Sequence, residues 1–226
     1  MPRAESPTGR IRCSGTDERK LRAEGYRAVA GVDEVGRGAL FGPVVAAAVV
    51  LSADRTIRGL DDSKQLEPER REVLAHRIRE RAVACSIASV DAATIDRINI
   101  YQASRLAMKI AVESLHPPAD FLLVDALFLD VSVPQRALIK GDARCQAIAA
   151  ASIVAKVHRD AMMAEMDEVF PGYGLGRHKG YFTPEHARAL RELGPTGLHR
   201  TSFEPVRLCK TAQLELFENE RGVAWI

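Results

Sequence analysis

Residues 28–38 read Ala28-Val29-Ala30-Gly31-Val32-Asp33-Glu34-Val35-Gly36-Arg37-Gly38. The apolar, Val-containing first part, closed by glycine, has the length and composition of a core strand. Side chains along a strand alternate between faces, so Asp33 and Glu34 cannot both face a core. A carboxylate buried without a partner is costly, so such a pair needs a strong compensating interaction, and a divalent cation suits it. From this stretch alone the chain reads as a candidate metalloenzyme.

Working outward, a second Val-rich run at 44–51 follows the link Gly36-Arg37-Gly38-Ala39-Leu40-Phe41-Gly42-Pro43, and a third strand is expected at 83–90. Pro68 at a first helical position opens an amphipathic helix with Val73, Leu74 and Ile78 at helical spacing. A second helical stretch runs over 92–115 and stops at His116-Pro117-Pro118. Strands are expected at 120–127 and 135–139. A long helix follows over 145–169, its first half small and apolar all round and hence buried. Further helices are expected at 184–193 and 203–218. Strands followed by interleaved strands and helices define an α/β core with a mixed sheet. The organisation expected is a loose tail and short helix (1–24), a core (25–170) and a helical C-terminal extension (171–226).

The chain has 226 residues, with 32 Lys and Arg against 30 Asp and Glu, a formal charge of +2 that excludes a histone-like polycation. The charge is unevenly placed. Between Pro171 and Lys210 seven Lys or Arg face three Glu, a local balance of +4 that suits contact with a polyanion. Cys13, Cys85, Cys145 and Cys209 form no CxxC pair, which argues against a zinc site or a disulfide framework and for a reducing, cytoplasmic setting. Residues 1–13 hold no apolar run of signal-peptide length, and the longest apolar run, 44–51, is too short to span a bilayer. No membrane association is expected.

Beside Asp33 and Glu34, Asp125 ends the fourth predicted strand and Asp142 precedes the buried helix. Three elements thus offer carboxylates at their ends, where open α/β sheets place their ligands. Hard oxygen ligands suit Mg²⁺ or Mn²⁺, and two such ions form the clamp used for in-line attack on phosphodiesters. Taken singly, Asp125 also reads as a strand-end turn residue and Asp142 as a helix cap. Gly36-Arg37-Gly38 departs from the dinucleotide fingerprint in spacing and leads into a strand. It reads either as a plain turn or as a loop whose N–H groups and guanidinium approach a sugar-phosphate. Gly176-Arg177-His178-Lys179-Gly180-Tyr181 places three potentially cationic groups beside an aromatic ring, which suits a nucleic-acid contact but equally a solvated loop. His199-Arg200-Thr201-Ser202-Phe203 has the same ambiguity.

In order along the chain, GVDEVGRGALFGPVVAAAVVL (31–51), DDSKQL (61–66), VD (124–125), KGDARCQAIAAASIVAKVHRD (140–160), GYGLGRHKGYFT (172–183) and HRTSFEPV (199–206) resemble the type 2 ribonuclease H family, ribonuclease HII. The resemblance implies an RNase H-like fold. It also implies an endoribonuclease that cuts the RNA of RNA/DNA hybrids and at single ribonucleotides embedded in duplex DNA, leaving 3′-hydroxyl and 5′-phosphate ends. Asp33, Glu34, Asp125 and Asp142 then correspond to the catalytic, metal-binding carboxylates, with two Mg²⁺ or Mn²⁺ ions expected with substrate. Gly36, Arg37 and Gly38 match the loop that reads the ribose 2′-hydroxyl, and Tyr181 the aromatic residue that packs on the sugar at the RNA-to-DNA junction. Lys64 of DDSKQL and Lys179 complete the expected substrate contacts, and a monomer is expected. Two positions depart from the family pattern: Ala126 stands where Gly is usual, and Ala39-Leu40-Phe41 where Pro-Leu-Ala is commoner. Phe41 is thereby expected to add bulk near the substrate loop. Two other readings stay open, a hybrid-binding module without turnover and an RNase H-like nuclease acting on DNA alone.

Overall fold

The computed structural model describes residues 13–211 and divides the chain into two compact units. The expected tail up to residue 12, and the part of the last expected helix beyond residue 211, lie outside the described residues. The first unit comprises residues up to 34, 46–88 and 108–157, and the second 35–45, 89–107 and 158 onward. The helical C-terminal residues therefore share a unit with the 35–45 loop.

In the first unit, α1 (Thr16–Ala23) precedes a five-stranded sheet of β1 (Val29–Val35), β2 (Val44–Val50), β3 (Ala84–Val90), β4 (Phe121–Asp125) and β5 (Gln135–Leu138), in the order β3-β2-β1-β4-β5. A residue or two at the ends of β1, β2 and β3 belong to the second unit. All seven residues of β2, VVAAAVV, are buried, as a central strand covered on both faces requires. β3 alternates buried and more exposed positions and is an outer strand. β1 pairs with β4 in parallel with Val32 opposite Val124, and β4 with β5 in parallel with Asp125 opposite Leu138. One step past Val32 and Val124, the parallel register carries Asp33 and Asp125 to the same level of neighbouring strands.

Helix α2 (Pro68–Arg81) starts at its proline and buries Leu74, Ala75 and Ile78. Helix α3 (Ala92–Glu113) is broken at Asn99, whose φ of 66° and ψ of 162° are not helical. The Asn99 side chain accepts the Gln102 N–H at 3.1 Å and so caps a new start, which the sequence periodicity does not reveal. Helix α4 (Gln146–Val169) begins with small residues that are fully buried from Ala147 to Ala151. Its approach to β1 is so close that a Cβ on Gly31 would lie 2.0 Å from the Ala147 carbonyl carbon, so only glycine fits.

In the second unit, Phe41, Met163, Tyr173, Leu175 and Ala189 form one core, and Leu40, Leu190 and Val206 another. Phe41 is fully buried, edge-on to His199 at 4.9 Å and to Phe170 at 5.6 Å. Its ring fills this core, and its backbone and Cβ lie against Gly180, where an added Cβ would fall 3.0 and 3.2 Å from them, so the expected bulk beside the substrate loop is there but is directed inward. The first residues of the expected Gly-rich loop 176–181 belong instead to a single helical turn, α5 (Leu175–His178). Helix α6 (Pro184–Leu193) has Thr183 as N-cap, its hydroxyl accepting the His186 N–H at 3.1 Å. Residues 204–211 are helical. No helix among the described residues is long and apolar enough to cross a membrane.

Candidate active site

The first unit gathers Asp33, Glu34, Asp125, Asp142 and Lys64. Asp33 is buried, and its carboxylate accepts the Glu34 N–H at 2.8 Å. Burial pushes the Asp33 proton affinity well up, and the charges of Glu34, Asp125 and Asp142 push it further in the same direction. A hydrogen bond from the Ser152 hydroxyl opposes this. Ser63 lies 2.9 Å from Ser152, oxygen to oxygen, so with the Ser152 proton committed to Asp33 the Ser63 proton points to Ser152. Asp125 accepts the Gly141 N–H at 2.7 Å, which ties the end of β4 to the short 3₁₀ turn Gly141–Ala143. Asp142 accepts the Ala143 N–H at 2.9 Å, and the Lys64 ammonium stands 3.6 Å from its other oxygen. Asp142 sits within this turn and not as the cap of α4.

Four carboxylates thus lie within one another's field, two of them buried. Among the described residues no group of three or more His, Cys, Asp or Glu is arranged as it stands to hold a metal ion. The chemistry of the donor set nonetheless fits Mg²⁺ or Mn²⁺: all ligands offered are hard carboxylate oxygens, and the repulsion that raises Asp33 is what a cation relieves. Ala126, after Asp125, has a φ of 52°, in the left-handed region that favours glycine. The position where the family pattern has Gly is thus one whose backbone geometry calls for it.

The second unit gathers Gly36, Arg37, Gly38, Lys179 and Tyr181. Ala39 and Tyr181 form an antiparallel bridge, and the Leu40 N–H donates to the Gly180 carbonyl at 2.8 Å, so the Gly-Arg-Gly turn and the aromatic residue are held together. Arg37 and Gly38 are exposed, and Gly36 is buried. The three cationic groups expected beside Tyr181 are reduced by their partners. Arg177 is ion-paired with Glu185, and His178 donates from Nε2 to the Tyr173 carbonyl at 2.8 Å while its Nδ1 accepts the Gly180 N–H at 3.2 Å. Lys179 has a φ of 53°.

Two arginines build this loop: Arg159, which nothing in its own stretch of sequence singles out, and Arg200, which the sequence leaves open between a nucleic-acid contact and a solvated charge. Arg159, fully buried, donates to the carbonyls of Pro43 (3.2 Å), Lys179 (2.8 Å) and Phe41 (3.1 Å), and its guanidinium lies 5.5 Å from the Tyr181 ring centroid. Arg200, also fully buried, donates to the carbonyls of Gly42 and Arg37, both at 2.9 Å. Gly36, at φ 90°, gives Arg159 room: a Cβ there would fall 2.2 Å from its Nε. Thr201 and Ser202 grip Asp96 through backbone and hydroxyl donors at 2.6–2.9 Å. The HRTS segment is therefore structural scaffolding around the loop.

His199 is held neutral. Burial first, then the neighbouring His186, bring its pKa from 6.5 down to about 3, and Phe41, Tyr173 and the Thr196 backbone complete its surroundings. The sign follows from linkage: a histidine depressed in the folded state contributes stability that is complete above pH 6.5 and is lost as pH falls toward 3. Melting temperature is expected to fall on acidification from pH 7 to 5, and His199→Gln to flatten that dependence. Thermal melts of both proteins across this range give the difference directly, and parallel curves would contradict the assignment.

A model of the ribonuclease HII family matches residues 30–206. Ribonuclease HII of Solibacter usitatus (strain Ellin6076) is 69% identical over 216 residues, covering 93% of this chain and 95% of its own. Ribonuclease HII of Geobacillus kaustophilus (strain HTA426) is 56% identical over 190 residues, 84% of this chain and 73% of its own. Among solved structures, the ribonuclease H2 from Pyrococcus horikoshii OT3 superposes with a TM-score of 0.71 at 25% identity, covering 82% of this chain and 98% of that one. Fold and motifs together define an RNase H-like hydrolase, and the chain belongs to the ribonuclease HII family. It is an endoribonuclease acting on RNA paired with DNA.

Proposed function

We propose that this enzyme cuts the RNA strand of RNA/DNA hybrids and nicks duplex DNA at single embedded ribonucleotides, with Asp33, Glu34, Asp125 and Asp142 as its metal-binding catalytic groups. The observation that carries the reading is the convergence of four carboxylates from three chain segments on one place, where Asp33, raised first by its burial, also feels its neighbour Glu34 and, from two other segments, Asp125 and Asp142. Repulsive acids serve no purpose in merely gripping a polyanion. Two Mg²⁺ or Mn²⁺ ions, bound together with substrate, would supply activation of the attacking water and charge stabilisation at the leaving 3′ oxygen, giving 3′-hydroxyl and 5′-phosphate ends. Asp125 and Asp142 are held ready by backbone N–H groups. Lys64 tempers the negative field at Asp142 and faces substrate phosphate.

The 2′-hydroxyl is the main group separating ribose from deoxyribose, so discrimination rests on contacts at that point. We assign it to Gly36, Arg37 and Gly38, whose turn is shaped from beneath by Arg159 and Arg200. Tyr181 packs on the following deoxyribose, and Lys179 adds a phosphate contact. In functional terms residues 25–170 act as the catalytic core and 171–226 as a substrate-binding extension of a cytoplasmic, monomeric enzyme. The test is cleavage of a duplex with one ribonucleotide beside its all-DNA equivalent, in Mg²⁺ and in Mn²⁺. Cutting of the first alone, on the 5′ side of a phosphate retained downstream, is expected. Equal cutting of both identifies a DNA nuclease, and cutting of neither a binding module.

A further inference from the structure

We propose that His199 and His186 are positioning residues for Tyr181, joined in a hydrogen-bond relay that sets the Tyr181 backbone; the proposal rests on the junction-reading role given to Tyr181 above. Both rings are buried. The Thr196 N–H lies 2.9 Å from His199 Nδ1, and a backbone N–H only donates, so that nitrogen carries the lone pair and the His199 proton resides on Nε2. His199 Nε2 lies 3.1 Å from His186 Nε2, which must accept. The His186 proton is thereby placed on Nδ1, 3.0 Å from the Tyr181 carbonyl, to which it donates. One backbone N–H thus dictates every proton along a chain that ends at the aromatic residue.

The surroundings leave the relay no other arrangement. His178 stacks on His186 at 4.5 Å and 13°, with its own nitrogens engaged by the Tyr173 carbonyl and the Gly180 N–H. Phe41 and Tyr173 close on His199 at 4.9 and 5.2 Å. A second proton on His186 would set two N–H groups against each other across 3.1 Å, a second proton on His199 would face the Thr196 N–H across 2.9 Å, and burial opposes either charge. At the far end the Tyr181 N–H donates to the His178 carbonyl at 3.0 Å, so both backbone groups of Tyr181 are engaged by this histidine-bearing segment. The relay links His199 of HRTSFEPV, through His186 of α6, to Tyr181 of GRHKGYFT.

The experiment measures kcat and KM on a single-ribonucleotide duplex and on a uniform hybrid for His186→Gln, His199→Asn and Tyr181→Ala, and for each histidine variant combined with Tyr181→Ala. His199→Asn keeps an acceptor for Thr196 and removes the donor to His186, so it severs one link, and the double variants with Tyr181→Ala separate that loss from the effect of the smaller side chain. Each histidine variant is expected to lower kcat at the single ribonucleotide by roughly 5- to 30-fold, the worth of one to two buried hydrogen bonds, with a smaller effect on the hybrid. In the Tyr181→Ala background that selectivity change should vanish, because the group being positioned is gone. Damage to the fold would instead persist there and lower both substrates alike. Wild-type selectivity in both histidine variants, with selectivity lost in Tyr181→Ala, overturns the relay and leaves the role of Tyr181 standing. Wild-type selectivity in Tyr181→Ala itself overturns the junction reading, and the relay's purpose with it.

Discussion

Asp125→Asn and Asp142→Asn are each expected to lower single-turnover cleavage by on the order of 10²–10³ or more while leaving the melting curve at or above that of the wild type. The two halves of the result come from the same geometry. Asn keeps a carbonyl oxygen where Asp125 accepts the Gly141 N–H and where Asp142 accepts the Ala143 N–H, so the local turn survives. What is lost is a negative charge that already repels Asp33 in the metal-free protein. Loss of rate without loss of stability marks groups placed for chemistry at the expense of the fold, and a variant with the wild-type rate would contradict the assignment.

Arg159→Met is expected to have the opposite signature, a large stability loss spreading into the substrate loop. The substitution keeps much of the buried volume but removes the donors to the carbonyls of Phe41, Pro43 and Lys179. Buried carbonyls left without donors cost about 1–3 kcal/mol each, so a total near 3–5 kcal/mol is expected after relaxation. For a chain of this size that lowers the melting temperature by roughly 6–20 °C. Arg159→Lys, with one point charge in place of a planar fork, should recover only part of it. A melting temperature within about two degrees of wild type would show that the loop is shaped by something else.

The contrast between these two sites explains what the sequence makes legible. Asp125 and Asp142, which singly read as a turn residue and a helix cap, stand out only beside the pair Asp33 and Glu34 and within the motifs that carry the family resemblance. Asp33 and Glu34 are legible because a pair of acids at the end of an apolar strand is locally anomalous. Strands and the starts of α2 and α6 were readable for the same reason, since Pro68 and Pro184 punctuate the pattern where they stand. Arg159, Arg200, His186 and His199 were not. In sequence they belong to charged segments that resemble solvated surface, and their burial depends on partners such as Pro43, 116 positions from Arg159, and Gly42, 158 from Arg200. The break at Asn99 was hidden too, because one residue's change of φ leaves the apolar spacing on either side intact. The turn at Gly141–Ala143 escaped notice because its hydrogen bond to Asp125 joins residues 16 apart.

Binding of divalent metal by the four carboxylates is tested most sharply by a Mn²⁺ titration followed by electron paramagnetic resonance. It is made on the wild type and on Asp142→Asn in the presence of an uncleavable single-ribonucleotide duplex. The wild-type complex is expected to take up Mn²⁺ saturably, approaching about two ions per protein, and Asp142→Asn to lose at least one of them while still binding the duplex. Identical Mn²⁺ uptake by the two proteins would contradict metal binding by these carboxylates.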